Sequence, residues 1–314
     1  MIYISAQECS TLFIWQLEVQ IYNFKKMGID VSDYHILFSH PTEKVDLSRL
    51  GMSGCKIYYY QDTRTENEKK YIPSIKTHLL KKHWKAFPEL QNETIFLCDA
   101  DVIFTSPLDF GPLLNDNICY LSDTTSYIGS RYIDSKGDNL LERMCEIVGV
   151  SSTKVRQLGS NAGGAQYLLK NVKTQVWEEA ERTCYPLYKY IVSSAPYYRT
   201  NWQKLTGETN ANKYVPIQSW CAEMWTTLWC LLKFGYDIKV SKELDFNQAP
   251  NPIIEWDKKK IYHNAGGVST RPDLFSKSRF RRITPKNADF SILSPKYCSI
   301  NYARLVQEYY KNLA

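Results

Sequence analysis

The sequence predicts an α/β fold in one continuous domain, with a mixed, mostly parallel central sheet flanked by helices. Three observations carry that expectation. Short β-rich runs alternate with segments of helical periodicity through the first two fifths of the chain, the pattern of βαβ units. One run, Thr94-Ile95-Phe96-Leu97-Cys98, is apolar almost throughout, as a strand buried on both faces must be. With 314 residues and 44% hydrophobic content, the chain also has enough apolar mass for a large core.

The elements follow in order. Residues 2–4 form the first strand, and residues 12–27 a helix whose apolar positions recur at helical spacing until Gly28 stops it. Residues 34–38 and 56–60 are the second and third strands. Residues 75–87 make a helix with Lys and His on its polar face, halted before Pro88, and residues 94–98 are the fourth strand. Further on, 118–122, 165–169 and 236–240 read as strands and 139–148, 173–184 and 223–232 as helices. No internal repeat, low-complexity tract or Pro/Gly linker divides the sequence, so residues 1–314 are expected to be a single domain.

Composition narrows the function classes. Charged residues make up 23% with both signs mixed, and the net charge of +6 is a mild bias toward anionic ligands. A nucleic-acid binder carries a concentrated basic stripe. The densest run here, Lys277-Ser278-Arg279-Phe280-Arg281-Arg282, reads as a solvated face, so no nucleic-acid partner is expected. Nine cysteines, at 9, 55, 98, 119, 145, 184, 221, 230 and 298, form no Cys-x-x-Cys pair and no zinc-like spacing, which reads as reduced thiols in a reducing compartment. Met1-Ile2-Tyr3-Ile4-Ser5 runs straight into a strand without the charged and long apolar regions of a signal peptide. The longest apolar stretch, 224–232, is far short of the roughly 20 residues that cross a bilayer. A cytoplasmic protein with no transmembrane segment is expected. Its 23 Tyr and 8 Trp offer faces on which sugar rings stack while their hydroxyls bond at the rim.

Asp99 and Asp101 stand just beyond the fourth strand. In open α/β sheets, ligands bind in the crevice outside the carboxyl ends of strands. Two carboxylates one residue apart at a chain bend can present oxygens to a hard divalent cation that also takes diphosphate oxygens. Such an ion, Mn²⁺ or Mg²⁺, neutralises charge growing on a departing nucleoside diphosphate. The plainer alternative is a polar turn capping a strand.

The wider segment Thr94-Ile95-Phe96-Leu97-Cys98-Asp99-Ala100-Asp101-Val102-Ile103-Phe104, followed by Pro107-Leu108, resembles the strand-plus-DXD segment of GT-A glycosyltransferases. Ile261-Tyr262-His263-Asn264-Ala265-Gly266-Gly267 with Arg271-Pro272 is similar to the H-x-x-G…K-P motif of some GT-A families, with Arg in place of Lys and two residues late. That similarity implies His263 as a third metal ligand and Gly266 as backbone that approaches the diphosphate. Gln157-Leu158-Gly159-Ser160-Asn161-Ala162-Gly163-Gly164-Ala165-Gln166-Tyr167 resembles the N-x-G segment that lines the sugar pocket, which implies donor contacts at Asn161 and Gly163. Trp220-Cys221-Ala222-Glu223-Met224-Trp225 looks like the acidic motif opposite the donor's anomeric carbon, with Met224 where a second acid usually stands; it implies Glu223 as general base. The alternatives are a Gly-rich turn for the former and a first-turn glutamate favoured by the helix dipole for the latter. In the same fold Asp62 would lie near the nucleoside and Lys76 near the donor.

The resemblance implies a Rossmann-like GT-A domain, with a nucleotide-sugar-binding half (1–125) and an acceptor-facing half (126–314). The implied enzyme is a metal-dependent hexosyl- or pentosyltransferase that binds a nucleotide sugar through Asp99-Ala100-Asp101 and moves the sugar to a hydroxyl of a carbohydrate or glycan acceptor. UDP is the expected carrier. With Glu223 as base, in-line attack inverts the anomeric centre; without a base there, a retaining route is open. A sugar-1-phosphate nucleotidyltransferase would carry a Gly-rich basic loop after the first strand, where this chain has Ser5-Ala6-Gln7-Glu8-Cys9. A carbohydrate-binding protein that has lost turnover is the other alternative, and the presence of Asp99, Asp101 and His263 argues against it.

Overall fold

The computed structural model describes residues 1–42, 44–266 and 270–313. In chain order its main elements are β1 (Ile2–Gln7), α1 (Thr11–Lys26), β2 (Tyr34–Ser39), β3 (Lys56–Tyr60), α2 (Ser74–Ala86), β4 (Thr94–Leu97), β5 (Val102–Phe104), β6 (Cys119–Asp123), α3 (Leu140–Val148), β7 (Gly163–Lys170), α4 (Thr174–Thr206), α5 (Ala222–Lys233), β8 (Ile238–Val240), β9 (Phe246–Asn247), β10 (Ile261–His263) and α6 (Ser299–Lys311). Seven strands form a sheet in the order β3-β2-β1-β4-β7-β6-β8, and a small sheet has the order β5-β10-β9. The β1–β2, β2–β3, β1–β4 and β6–β8 pairs are parallel and β6–β7 is antiparallel, so the mixed, mostly parallel sheet flanked by helices is as expected.

The chain divides into two compact units, each discontinuous in sequence: residues 1–61, 95–115 and 242–314, and residues 62–94 and 116–241. In the first unit β1, β2 and β4 bury Ile4, Ile36, Leu37, Phe38 and Phe96, with β4 buried as its apolar run predicts, while no residue of the edge strand β3 is buried. A second cluster there joins Trp15 and Val19 of α1 to Ile103 of β5, Tyr262 of β10 and Tyr302 and Val306 of α6. Strand β1 outlasts its apolar run because its polar end is internally bonded. Ser5 Oγ donates to Gln7 Oε1 at 2.6 Å, and Gln7 Nε2 donates to the Leu37 carbonyl at 3.2 Å.

In the second unit, α4 exceeds the expected 173–184 by more than its own predicted length, running through Pro186 and Pro196. Each proline removes an N–H and should break the ladder. The carbonyls thereby freed belong to Arg182 and Val192, both exposed, so solvent can satisfy them. The opposite face of the helix buries Cys184, Leu187 and Ile191, and that burial keeps it continuous. Among the described residues no helix is long and apolar enough to cross a membrane, and all nine cysteines are unbridged.

One ion network ties three helices of this unit. Glu179 of α4 accepts Arg182 through two nitrogens at 2.6 and 2.7 Å and also pairs with Lys233 of α5, which donates to the Val148 carbonyl at the end of α3 at 3.0 Å. Arg182's hydrogen bonds and Lys233's charge, against the opposing effect of burial, hold the Glu179 carboxyl down at about 2. A lowered folded pKa contributes stability that is present above the ordinary carboxyl range and disappears as pH falls through the folded value. Glu179→Gln should therefore cost about 1 kcal/mol at neutral pH and almost nothing near pH 2, read by urea denaturation at both.

Candidate metal centre

The site begins with a buried strand that ends and turns. After Leu97 closes β4, residues 98–101 bend the chain before Val102 opens β5, so the two aspartates fall in the turn between the two strands. Helix α1 braces that turn. Gln20, fully buried, donates Nε2 to the carbonyls of Asp99 and Val102, both at 2.8 Å, and its Oε1 accepts the Tyr34 hydroxyl. Three residues on, Asn23 pairs with Phe104 as a strand would: Nδ2 donates to the Phe104 carbonyl at 2.9 Å and Oδ1 accepts the Phe104 N–H at 2.7 Å. Positions i and i+3 share a helix face, so one face of α1 pins both ends of the turn and strand.

Strand β10 then brings in the histidine. It pairs antiparallel with β5 in a register that sets Ile261 against Phe104, Tyr262 against Ile103 and His263 against Val102. The Asn264 N–H donates to the Asp101 carbonyl at 2.9 Å, extending the ladder past the strand end. In consequence His263 Nε2 lies 3.3 Å from Asp101 Oδ1 and 3.6 Å from Asp99 Oδ2, and one ligand atom from each of the three residues lies within 4.8 Å of the others. Asp101 is 3% exposed and His263 7%, whereas the Asp99 side chain is one-third exposed and forms the open side of the cluster.

Lys277 completes the surroundings, its Nζ 2.5 Å from Asp101 Oδ2. Burial pushes the Asp101 carboxyl upward, but the charge of Lys277 and the charge and hydrogen bond of His263 outweigh it and hold the group well below the usual carboxylate range. Two carboxylates and an imidazole are the hard and intermediate donors that divalent first-row ions take, and an ammonium on the buried oxygen is a stand-in cation. The three residues fit a divalent ion. Lys277 departs from its reading as part of a solvated basic face, while Arg279, Arg281 and Arg282 are exposed as expected. Arg271 is paired with its neighbours: Asp273 accepts it through two bonds at 2.7 and 2.8 Å, and its guanidinium lies 5.0 Å from the Tyr297 ring centre. Gly266 is exposed, and a Cβ there would meet nothing within 4 Å. Ala100 is buried inside the turn.

The remaining predicted residues lie in the second unit, where the fold joins two of them. Glu223, in the first turn of α5 and 3% exposed, accepts Lys76 Nζ from α2 on Oε2 at 3.3 Å and Thr227 Oγ1 on Oε1 at 3.1 Å. Its N–H donates to the Tyr71 hydroxyl at 2.9 Å, which in turn donates to the Trp220 carbonyl at 2.5 Å. Asp62 binds Arg64 through both carboxylate oxygens, at 3.1 and 2.9 Å. Asn161 Oδ1 accepts the Val240 N–H at 3.2 Å. At Gly163 a Cβ would come within 2.6 Å of the Ser122 carbonyl oxygen and 2.7 Å of the Leu121 Cβ, so the approach of β6 to β7 already demands glycine there.

Gln20, Asn23 and Lys277 are the residues that motif reading passes over. Their signal was two amides three apart in the first helix, and one lysine beginning a basic run whose flanking Phe275 is core.

No protein-family model matches the sequence, and no curated protein is significantly similar to it. Among solved structures the chain is similar to mouse xyloside xylosyltransferase 1 in its apo form, at 11% identity over 86% of this chain and 98% of that one, with a TM-score of 0.42. It is also similar to glucosyl-3-phosphoglycerate synthase from Mycobacterium tuberculosis in complex with Mg²⁺ and uridine diphosphate, at 13% identity over 62% of this chain and 65% of that one, with a TM-score of 0.33. A third similarity is to the same synthase with Mn²⁺, uridine diphosphate and phosphoglyceric acid, at 14% identity over 62% and 64% of the two chains and a TM-score of 0.33.

Two substitutions test this geometry. Gln20→Leu keeps the bulk but strands the carbonyls of Asp99 and Val102, so it should cost about 2–4 kcal/mol of stability and weaken Mn²⁺ binding measured by calorimetry. Unchanged Mn²⁺ affinity would show that the turn holds itself. Gly163→Ala should destabilise by about 1–3 kcal/mol in denaturant titration, whether or not a sugar is present.

Proposed function

We propose that the protein is a metal-dependent glycosyltransferase of the GT-A type. The observation that carries this reading is the convergence of Asp99, Asp101 and His263 on one point at the end of β4, from two motifs far apart in the chain. More particularly, the donor is a nucleotide sugar with UDP as carrier, the acceptor is a hydroxyl of a carbohydrate or glycan, and the anomeric centre is inverted.

In this reading Asp99, Asp101 and His263 hold Mn²⁺ or Mg²⁺, which when bound offsets the charge that gathers on the departing diphosphate. Asp101 is fixed from behind by the β5–β10 ladder, so its carboxylate does not need to reorganise to ligate. Asp99, more exposed, takes the side of the site that faces the donor. Glu223 accepts the proton of the acceptor hydroxyl as its oxygen bonds to C1 of the sugar; the C1–O bond to the diphosphate breaks, and its electron pair leaves with the nucleotide. Lys76 and Thr227 fix the rotamer of Glu223, one on each oxygen. Asp62, Asn161, Gly163 and Gly266 are proposed donor contacts in the same scheme.

The chemistry is tested by incubating the protein with nucleotide sugars and Mn²⁺. Slow release of UDP is the transferase outcome, pyrophosphate exchange is the nucleotidyltransferase outcome, and binding without release is that of an inactive carbohydrate-binding protein. Asp101→Ala should abolish metal-dependent donor binding in calorimetry; unchanged donor affinity would sink the assignment. Glu223→Gln should lower kcat by roughly 10²–10⁴-fold while donor binding survives. Near-wild-type kcat, or a product whose anomeric configuration matches the donor's by NMR, would replace inversion by the retaining route.

A further inference from the structure

Asp101 is almost wholly buried, and a buried carboxylate keeps its charge only if a countercharge stays beside it. In this structure that countercharge is Lys277. Its Nζ sits 2.5 Å from Oδ2, while Oδ1 faces His263 Nε2 at 3.3 Å, so both oxygens are engaged. A divalent ion held by Asp99, Asp101 and His263 would place a second cation within a few ångströms of the ammonium, and like charges at that range repel strongly outside bulk water.

The lysine is delivered there by its backbone. Phe275 and Phe280, on either side of it, stack at 5.7 Å, and Trp15 meets each ring edge-on at 6.2 Å. Trp15 Nε1 donates to the Phe280 carbonyl at 3.1 Å, and Ser276 and Ser278 share a hydroxyl bond at 2.8 Å. Those anchors fix the main chain while leaving the four-carbon side chain, one-quarter exposed, free to swing its ammonium toward water.

From this arrangement we infer that Lys277 is a tethered counter-cation that competes with the divalent ion for Asp101, so that metal binding expels its ammonium from the carboxylate. The inference rests on the metal site proposed above. It makes metal affinity a balance: the lysine stabilises the metal-free site and raises the concentration of ion needed to fill it.

The test is calorimetric titration of Mn²⁺ alone into the full chain and its variants. Lys277→Met should bind Mn²⁺ on the order of tenfold more tightly than wild type, because the competing charge is gone. Lys277→Arg, which keeps the charge, and Arg281→Met, which removes an exposed charge from the same run, should stay near wild type. Equal or weaker binding in Lys277→Met, with clear binding in wild type, overturns the competition and leaves the metal site standing. Binding in neither protein overturns both. Should Lys277→Met fail to fold, the wild type still answers through amine acetylation read by mass spectrometry. Mn²⁺ should raise the labelling of Lys277 several-fold, and labelling that is unchanged or reduced overturns the proposal.

Discussion

The candidate site depends on one short pairing, three residues of β10 laid antiparallel on three residues of β5. Neither strand has the length to be stable alone. What holds them is the first unit around them: Ile103 and Tyr262 are buried in the same cluster as Trp15 and Tyr302, and Asn23 bonds the outer end of β5 as a further strand would. The register is consequential because a slip of one residue would turn His263 to the opposite face of the ladder. In the observed register the imidazole, the aspartate turn and the Asn264 amide meet at one corner.

This dependence explains what could and could not be read from the sequence. Strand β4 was legible because double-sided burial writes itself as a continuous apolar run, and the aspartates were legible because they end that run. The small sheet was not, since two- and three-residue strands carry too little alternation to register as a period. The helix expected over 173–184 runs on through Pro186 as α4, because the carbonyl that this proline leaves unpaired belongs to the exposed Arg182. Gln20 and Asn23 were invisible for another reason: a polar residue in an apolar helix face has no meaning until its partner is known, and the partner here is a backbone turn far along the chain. Gly163, named for a donor contact, is also a position where the neighbouring strand by itself requires glycine.

The second unit presents a polar pair of a different kind. Lys76 and Glu223 were named separately, for different roles, and the structure joins them as partners with Thr227 and Tyr71 around them. A carboxylate so placed is rigid and nearly sealed from water, conditions under which its orientation is determined by the protein rather than by solvent. The unit's own scaffold, three helices joined through Glu179 and Lys233, holds α5 and therefore Glu223 in place.

The proposed function requires a divalent ion ligated by one imidazole and two carboxylates and shared with a nucleoside diphosphate. Pulsed electron paramagnetic resonance of the protein loaded with Mn²⁺ and UDP reads both halves of that statement at once. The spectrum should show a single ¹⁴N coupling, lost in His263→Ala, together with ³¹P coupling from the diphosphate. Bound Mn²⁺ with no nitrogen coupling, or with nitrogen coupling that survives in His263→Ala, would contradict the site.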